Sequence, residues 1–338
     1  IGARPLHISG SGVDGAGALD VTVTLNSSPV DFSRLVLDAD AVIRISASKY
    51  VYYRNTNTPI EFNGHRLFVK GGGIFYNSAE TGLGEVVVLG DSASNISVFS
   101  LRNSTSVVEA SDSNPFVLGE YGALWMYCDV PRVERPLYVS GTTAQMYASE
   151  QFEGNYAFDW NTNVVAWAGP VRFTNESGIA ELTLSSNYTN RQFSLLGPIT
   201  GPGKISVKTM KSAHVSRLYL GSAGNTFSGG FYYQGKQGGD VLAAYPTSLG
   251  GDGTTYGGVT ADYGRIVCEV DDSGSHWDLT HFTKLIDEAT WQNNAYAALQ
   301  PVNCSNVPLF VNDGSLALNG TWRLLGVVAF SFANSSSR

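Results

Sequence analysis

The sequence predicts an all-β protein in which residues 1–338 form one domain, a parallel β-helix. Three observations carry this prediction. Short apolar runs of three to six residues recur along the chain, and many of them alternate apolar and polar positions as strands do. Turn-forming residues separate the runs, and glycine alone accounts for 38 of the 338 residues. No helical pattern of about 10–15 residues lies between the runs, which argues against alternating strand–helix units.

The clearest repeat begins at a proline and ends at a glycine. Pro5–Gly10, Pro59–Gly64 and Pro136–Gly141 share the order proline, apolar, any, apolar, any, glycine, and Pro308–Gly314 is a looser copy. Proline can start a strand but cannot occupy its middle, and glycine permits a turn after it. Each of these segments is therefore predicted to be one short strand.

Further strands follow along the chain. The predicted ones are Val21–Leu25, Leu35–Leu37, Arg66–Val69, Glu85–Leu89, Glu181–Leu184, Lys204–Val207, Arg217–Leu220 and Arg265–Val270. Stacked β-sandwiches or a β-helix could accommodate them. The short strands and irregular turns, without regular hairpin signals, favour the β-helix. At about 20–25 residues per coil, the chain would form about 15 coils in a rod of roughly 70 Å.

Domain organisation is predicted to be simple. No linker interrupts the chain, so we expect one continuous domain. The chain begins with Ile1, already inside a strand-like pattern, and we expect it to be part of a longer exported protein. Only Trp277–Ile286 has apolar residues at helical spacing, which predicts a short cap or an excursion from the coil.

Composition and charge limit the classes of partner that the protein is expected to bind. With 21 basic and 29 acidic residues, the net charge is −8, so we expect no nucleic-acid partner. No apolar run approaches about 18 residues, so we expect no transmembrane segment. The three cysteines leave two alternatives open: buried free thiols, or one bridge between Cys268 and Cys304 with Cys128 free.

Within Leu196–Gly250, Ile199–Ile205 reads Ile-Thr-Gly-Pro-Gly-Lys-Ile, and Leu218–Gly230 ends in Gly-Asn-Thr-Phe-Ser-Gly-Gly. The first segment resembles the "ITG-x-G-x-L" part of the autotransporter-associated β-helix repeat of bacterial passenger proteins. The second resembles the "L-x-L-x-G-x-N-T-[YF]-S-G-G" part of the same repeat. Thr247–Gly250 is similar to the closing "S-L-G". Weaker similarities to other turns of these proteins lie at Gly12–Leu19 and Phe62–Leu67.

This resemblance implies a right-handed β-helix that is exported and either displayed at a bacterial cell surface or released. It implies no activity, because the family includes adhesins, enzyme carriers and plain stalks. The residue types within the repeat predict structural roles. Asn225 is expected to turn the chain and bond neighbouring backbone, and Phe227, Leu218 and Leu220 to point inward. Gly229 and Gly230 are expected to permit positive φ at a tight corner.

Few residues are candidates for catalysis. Asp271 and Asp272 are an adjacent acidic pair, and paired carboxylates serve as acid and base in polysaccharide hydrolases. However, neighbouring strand residues face opposite ways, and the Ser/Gly-rich surroundings favour a solvated turn. No zinc-ligand spacing, phosphate loop or dinucleotide fingerprint occurs, so no metal or cofactor is expected. Gly250–Gly253 is only faintly similar to a calcium-binding nonapeptide.

Aromatic residues indicate a binding surface more strongly. Tyr50–Tyr53, Trp125–Tyr127 and Phe231–Tyr233 are dense in aromatic side chains. One face of such a strand can belong to the core, while the other can form a stripe that binds sugars or protein partners. Aromatic stacking within the rod is the alternative. The candidate stripe consists of Tyr50, Tyr52, Tyr53, Tyr232 and Tyr233.

Two functions are compatible with these observations. The first is a non-enzymatic, extracellular structural or adhesive protein whose partners are itself, other extracellular proteins or glycans. The second is a polysaccharide lyase or hydrolase on the same scaffold, which needs a groove with clustered acidic or basic residues. No such cluster is visible in the sequence, which favours the first. Low charge density and exposed aromatics also predict oligomers or filaments, opposed at low salt by the net charge.

Overall fold

The computed structural model describes residues 5–23, 34–53, 60–77, 84–101, 114–127, 132–149, 164–176, 180–186, 191–209, 216–234, 240–243, 250, 259–263, 265–268, 297–299, 309–312, 316–318 and 328–331. Within these residues the protein is all-β apart from one turn of 3-10 helix at Val13–Gly15. Parallel sheets form a β-solenoid, which confirms the predicted parallel β-helix class. No helix in this part of the chain is long and apolar enough to cross a membrane.

The strands are short, as predicted, with one exception. In chain order they are β1 (Leu6–Gly10), β2 (Leu19–Val21), β3 (Leu35–Ile45), β4 (Tyr50–Tyr53), β5 (Leu67–Gly71), β6 (Ile74–Asn77), β7 (Val86–Gly90), β8 (Ser97–Leu101), β9 (Phe116–Leu118), β10 (Gly122–Tyr127), β11 (Arg132–Val133), β12 (Leu137–Val139), β13 (Ala144–Ser149), β14 (Val164–Trp167), β15 (Val171–Phe173), β16 (Glu181–Ser186), β17 (Arg191–Leu195), β18 (Ile199–Thr200), β19 (Lys204–Thr209), β20 (Ser216–Leu220), β21 (Phe231–Gln234), β22 (Asp240–Ala243), β23 (Val259–Tyr263), β24 (Arg265–Cys268), β25 (Ala297–Leu299), β26 (Leu309–Asn312), β27 (Leu316–Leu318) and β28 (Val328–Ser331).

The chain divides into two compact units. The first unit comprises Ile1–Tyr147 and Gly169–Leu182, and the second comprises Ala148–Ala168 and Thr183–Arg338. In the first unit, sheet I holds β1, β3, β5, β7, β9, β12 and β15, with β2 also paired to β3, and sheet II holds β4, β6, β8, β10 and β13. In the second unit, sheet III holds β14, β17, β20, β22, β24, β25 and β27, and sheet IV holds β16, β19, β21, β23, β26 and β28.

Five to seven described strands lie in each sheet, and the solenoid has about six turns. The predicted total of about 15 coils is not confirmed. The pairing of the named strands is parallel throughout, which excludes antiparallel sandwiches for the described part. Parallel neighbours cannot be joined by a tight hairpin, so the chain must travel around the solenoid between them.

The interior of the first unit consists of rows of apolar side chains, one from each coil. One row in sheet I joins Leu67, Val86, Phe116, Leu137 and Val171, which pair in register on consecutive strands. Every member is at most 1% exposed. Strand alternation places the intervening residues outside, so the short apolar–x–apolar motif of the sequence becomes a continuous core along the stack.

The second unit is built in the same way. In sheet III, Phe193 pairs with Leu218 and Leu195 with Leu220, while in sheet IV Ile205 pairs with Phe231. All six side chains are buried. The burial of Leu218 and Leu220 agrees with the inward orientation that the alternation predicts.

Strand β3 is longer than the sequence indicates. The predicted strand ends at Leu37, but β3 continues to Ile45. Its first part pairs with β1, from Leu6 opposite Leu35, and its second part pairs with β5, from Ala41 opposite Leu67. Polar residues lie between the two parts, so the sequence does not indicate one continuous strand. Only the pairing with β1 and with β5 shows that β3 is continuous.

Candidate binding surface

Strand β4 shows how the solenoid divides its aromatic residues between core and surface. Val51 and Tyr53 are fully buried, whereas Tyr50 and Tyr52 are half-buried and face outward. The Tyr53 hydroxyl accepts a hydrogen bond from the Leu35 backbone N–H at 3.2 Å. The inclusion of Tyr53 in the predicted stripe is therefore corrected: strand alternation turns its ring into the core.

The outward tyrosines form a ladder with a residue that the sequence analysis missed. Tyr52 pairs in register with Tyr76 of β6, and their rings stack at 4.4 Å between centroids with an interplanar angle of 9°. Tyr50 contacts both rings edge-on, at 5.3 Å from Tyr52 and 6.1 Å from Tyr76. Tyr76 lies one coil away from Tyr52, and only the register of the coils reveals the pair. We call Tyr50, Tyr52 and Tyr76 the tyrosine ladder.

A groove of about 380 Å³ lies beside this ladder within the first unit. Tyr50, Trp125 and Tyr147 provide its aromatic lining, and Ile74 and Val98 its aliphatic lining. The rings of Trp125 and Tyr147 are perpendicular, with centroids 5.9 Å apart and an interplanar angle of 87°. We call this feature the aromatic groove.

The polar side chains at the aromatic groove are few. Lys49, Ser48, Ser94 and Asn95 belong to the lining. Burial raises the pKa of Tyr147 to about 12, so its phenol is uncharged at neutral pH. The groove therefore combines aromatic and aliphatic surface with polar side chains, as small-molecule sites do.

Two polar atoms on the adjacent strands β8 and β10 are buried without a hydrogen-bond partner in the described part of the chain. They are Nε1 of Trp125 and Oγ of Ser100. Ser100 and Trp125 are register partners on β8 and β10, so the two side chains occupy the same position of adjacent coils. Buried polar groups are normally paired, and of these two residues only Trp125 lines the groove, which makes its indole N–H the candidate for contact with a ligand.

The other half of the predicted stripe lies in the second unit. Tyr232 is half-buried on β21, and the ammonium of Lys204 lies 5.2 Å from its ring centroid. Tyr233 belongs to the same strand, but its side chain lies outside the described part. Of the five predicted stripe residues, the structure thus brings together Tyr50 and Tyr52, whereas Tyr232 forms a separate contact.

The repeat that resembles autotransporter proteins joins neighbouring coils through its asparagine and glycines. Oδ1 of Asn225, which is 1% exposed, accepts a hydrogen bond from the Ile199 N–H at 2.9 Å. Gly230 has φ of 102°, as the predicted corner requires. Gly229 does not have the predicted positive φ. A glycine is needed at this position for a steric reason, because a Cβ would lie 2.5 Å from the carbonyl carbon of Gly203. Phe227 is fully buried.

Charged residues on the outer face of sheet I also join coils. The backbone N–H and Nε of Arg66 each donate to a carboxylate oxygen of Asp40 at 2.9 Å. These bonds, the backbone one first, hold the pKa of Asp40 below its ordinary value. Arg34–Glu61 and Arg44–Asp91 are further ion pairs between coils.

Glu120 has a comparable position between two coils. Burial alone would raise its pKa, but the Thr142 N–H and the hydroxyls of Thr143 and Thr142 donate to its carboxylate and hold the pKa below its ordinary value. Glu120 and Asp40 are therefore carboxylates that stay ionised and accept hydrogen bonds. A general acid needs the opposite shift.

Several candidate residues lie outside the described residues. These are Asp271, Asp272, Cys128, Cys304, residues 251–253 and the predicted helical segment 277–286. For Cys268 the structure places only the backbone, in β24. Among the described residues, no group of three or more His, Cys, Asp or Glu side chains could hold a metal ion.

Comparison with protein-family models, with curated proteins and with solved structures finds no match to this chain. The resemblance to autotransporter repeats therefore depends on the residues of Ile199–Gly230 themselves. In the structure, those residues join one coil to the next through Asn225 and Gly229.

Proposed function

We propose that this protein is a non-enzymatic extracellular β-solenoid with a structural and adhesive role. The observation that carries the proposal is the tyrosine ladder beside the aromatic groove. A core needs aromatic side chains on the inner face only, yet Tyr52 and Tyr76 stack on the outer face of sheet II with Tyr50 edge-on to both. Tyr50 and Tyr52 are half-buried there, and Tyr76 is 8% exposed. Aromatic rings that are apolar at one end and polar at the other are typical of contact surfaces.

The structural part of the proposal is supported by the contacts between coils. Asn225 bonds the backbone of the preceding coil, and the Asn63 and Asn175 side chains do the same through Leu37 and Ser140 carbonyls at 3.1 and 3.0 Å. Each coil in a solenoid contacts only its neighbours, so its stability depends on such nearest-neighbour contacts. Repeated cross-links suit a stalk that must hold an extended surface in place.

The enzymatic alternative receives less support from the described residues. The carboxylates with shifted pKa values, Asp40 and Glu120, are both stabilised in the ionised form by donors from the next coil. Neither combines with a second carboxylate into an acid–base pair in its described contacts. A lyase or hydrolase would depend on Asp271 and Asp272 or on other residues outside the described part.

The resemblance extends the proposal to origin and location. We infer an exported bacterial passenger-type protein at the cell surface or released from it. We further infer a right-handed solenoid with about 15 coils over the whole chain, at about 20–25 residues per coil. Its partners would be copies of itself, other extracellular proteins and glycans.

Display on a non-adherent bacterium tests the proposal. Cells that present the chain should gain adherence to glycan-coated or matrix-coated surfaces. The double variant Tyr52→Ser/Tyr76→Ser should lose that gain, because it removes the stacked rings. The matched control is Tyr138→Ser, which changes a half-buried tyrosine on sheet I near Arg172. Display without any gain in adherence, or release of reducing ends from polysaccharides by the purified chain, would contradict the proposal.

A further inference from the structure

We propose that the aromatic groove binds the pyranose rings of an extended glycan without positive charges. This inference rests on the adhesive function proposed above and names its ligand. The groove crosses several coils, because Tyr50, Ile74 and Val98 occupy the same register position on β4, β6 and β8. Successive coils are about 4.8 Å apart, so a ligand that lies along the stack meets a similar set of contacts at regular intervals.

The apolar lining matches the chemistry of a sugar ring. A pyranose presents a face of C–H groups that packs against aromatic rings, while its hydroxyls point outward to polar groups. Trp125 and Tyr147 meet at a right angle, and Tyr50 stands at the other side of the lining, so the groove offers aromatic surfaces in more than one orientation. Val98 and Tyr147, which are 4% and 7% exposed, form a buried apolar cluster with Ala123, and Trp125 packs against this cluster.

Hydrogen bonding supplies the second argument. Trp125 lines the groove, yet its indole N–H is buried and has no hydrogen-bond partner among the residues that the structure describes, and the same is true of the hydroxyl of its register neighbour Ser100. An indole N–H can only donate, whereas a serine hydroxyl both donates and accepts. A sugar hydroxyl that reaches the Trp125 indole N–H can accept from it, whereas Ser100 is fully buried and lies outside the groove lining.

Size and charge favour a glycan over a protein partner. The groove volume of about 380 Å³ falls within the range of about 300–1,000 Å³ for small-molecule sites. A stable protein interface instead buries about 800 Å² on each partner. Lys49 is the charged residue in the described lining, which contains no carboxylate. Neutral and uronate sugars are therefore compatible with the groove, whereas amino sugars with free amines would be repelled.

Calorimetric titration of the whole chain with defined hexasaccharides tests the assignment. The probes are cellohexaose, a galacturonate hexamer and a fully deacetylated chitosan hexamer. We expect binding of at least one of the first two and none of the third. Trp125→Ala should weaken that binding about tenfold or more, as truncation of a central aromatic residue does. Trp125→Phe, which keeps a ring but loses the N–H, should weaken it less while the fold is retained.

The controls separate the groove from the rest of the surface. Tyr138→Ala removes an aromatic ring from sheet I and should leave the affinity within about twofold, well below the tenfold step of 1.4 kcal/mol. Lys49→Gln should weaken binding of the galacturonate hexamer more than that of cellohexaose. Unchanged affinity in both Trp125 variants, preference for chitosan, or binding of peptides but no sugar would overturn the assignment. If the chain still confers adherence in that case, the adhesive function stands and only its ligand is wrong.

Discussion

Arg135 shows how a single charged residue can hold three coils together. Its side chain is fully buried, and its Nε donates to the Asn114 carbonyl at 2.6 Å while its Nη2 donates to the Gly84 carbonyl. The guanidinium also lies 4.2 Å from the centroid of the Phe116 ring. Burial lowers the pKa of Arg135 to about 9, which still leaves it charged at neutral pH. The planar fork of donors lets one side chain reach two preceding coils.

We therefore expect Arg135→Met to destabilise the first unit although it keeps most of the apolar volume. The substitution leaves the carbonyls of Gly84 and Asn114 without these donors, at about 1–3 kcal/mol for each buried group. Urea unfolding followed by circular dichroism measures the loss. Arg172→Met, on an exposed side chain, is the control and should be close to neutral. A stability of Arg135→Met equal to wild type would show that the buried guanidinium does not hold the coils.

Phe227 stabilises the packing of coils in the second unit through apolar contacts. Its ring is fully buried, and a Cβ on Gly250 would lie 2.8 Å from two of its ring carbons, so the ring fills the space up to the next coil. Phe227→Ala should cost about 3–5 kcal/mol because it leaves a cavity there. Thr226→Ala, at an exposed neighbouring position, is the control. An unchanged melting temperature for Phe227→Ala would contradict the assigned register.

At the scale of elements, glycines determine how closely consecutive coils approach. Gly71 ends β5 with φ of 106°, and a Cβ there would lie 2.2 Å from the Ile45 carbonyl oxygen of the preceding coil. Gly64 also has positive φ, at 79°, but a Cβ there would meet no atom within 4 Å. A substitution at Gly64 therefore tests backbone strain alone, whereas a substitution at Gly71 tests backbone strain together with steric contact between coils.

Gly64→Ala should accordingly cost about 1–2 kcal/mol, the penalty for a side chain at positive φ. Gly71→Ala adds a collision with the Ile45 backbone and should cost about 4 kcal/mol or more, in the range where a specific structural cause is required. Differential scanning calorimetry of the two variants makes the comparison. Equal melting temperatures would mean that the coils can separate at Gly71 without loss.

The ionic contacts between strands predict how stability depends on pH. Asp40 and Glu120 have folded-state pKa values below their ordinary 3.8 and 4.5, so their stabilising effect is complete above the unfolded-state values and is lost as pH falls through the folded ones. The melting temperature should therefore decrease progressively below about pH 5. Because Asp40 and its partner Arg66 are largely exposed, the contribution of this pair should be small.

Asp40→Asn tests that contribution. It should reduce the slope of melting temperature against pH below about pH 5 and leave the slope at pH 7–9 unchanged. Asp20→Asn is the control, because it makes the same change at another exposed carboxylate. A steeper acid slope in Asp40→Asn than in wild type would contradict the direction of the pKa shift.

At the scale of the whole molecule, low charge density and outward aromatic residues favour association between copies. Only 15% of residues are charged, and the net charge of −8 opposes contact at low salt. Light scattering should therefore show larger particles as salt rises from about 0.01 M to 0.15 M, where the Debye length falls from about 30 Å to about 8 Å. The variant Tyr52→Ser/Tyr76→Ser should shift this dependence to higher protein concentration. A monomer at every concentration and salt level would refute association.

Much of the fold could be predicted because a β-solenoid repeats a local pattern. Alternation within short runs identifies inward residues such as Leu218 and Leu220, and glycine at the corners identifies turns such as the one at Gly230. The single long strand β3 escaped prediction because its middle is polar and its continuity depends on partners from two different coils. Tyr53 was assigned to the wrong face, because an aromatic cluster does not by itself show where its alternation begins.

The sequence by itself determined the fold class, since strand length, turn residues and the lack of helical patterns between the strands are local properties. Only the tertiary structure decided which residues meet between coils. The stacking of Tyr52 on Tyr76, the groove between Tyr50 and Trp125, and the reach of Arg135 to Gly84 join positions that are about 20 to 75 residues apart. The physical reason is register: coil lengths vary, so the residue that stacks on a given side chain follows from backbone pairing and not from a fixed spacing.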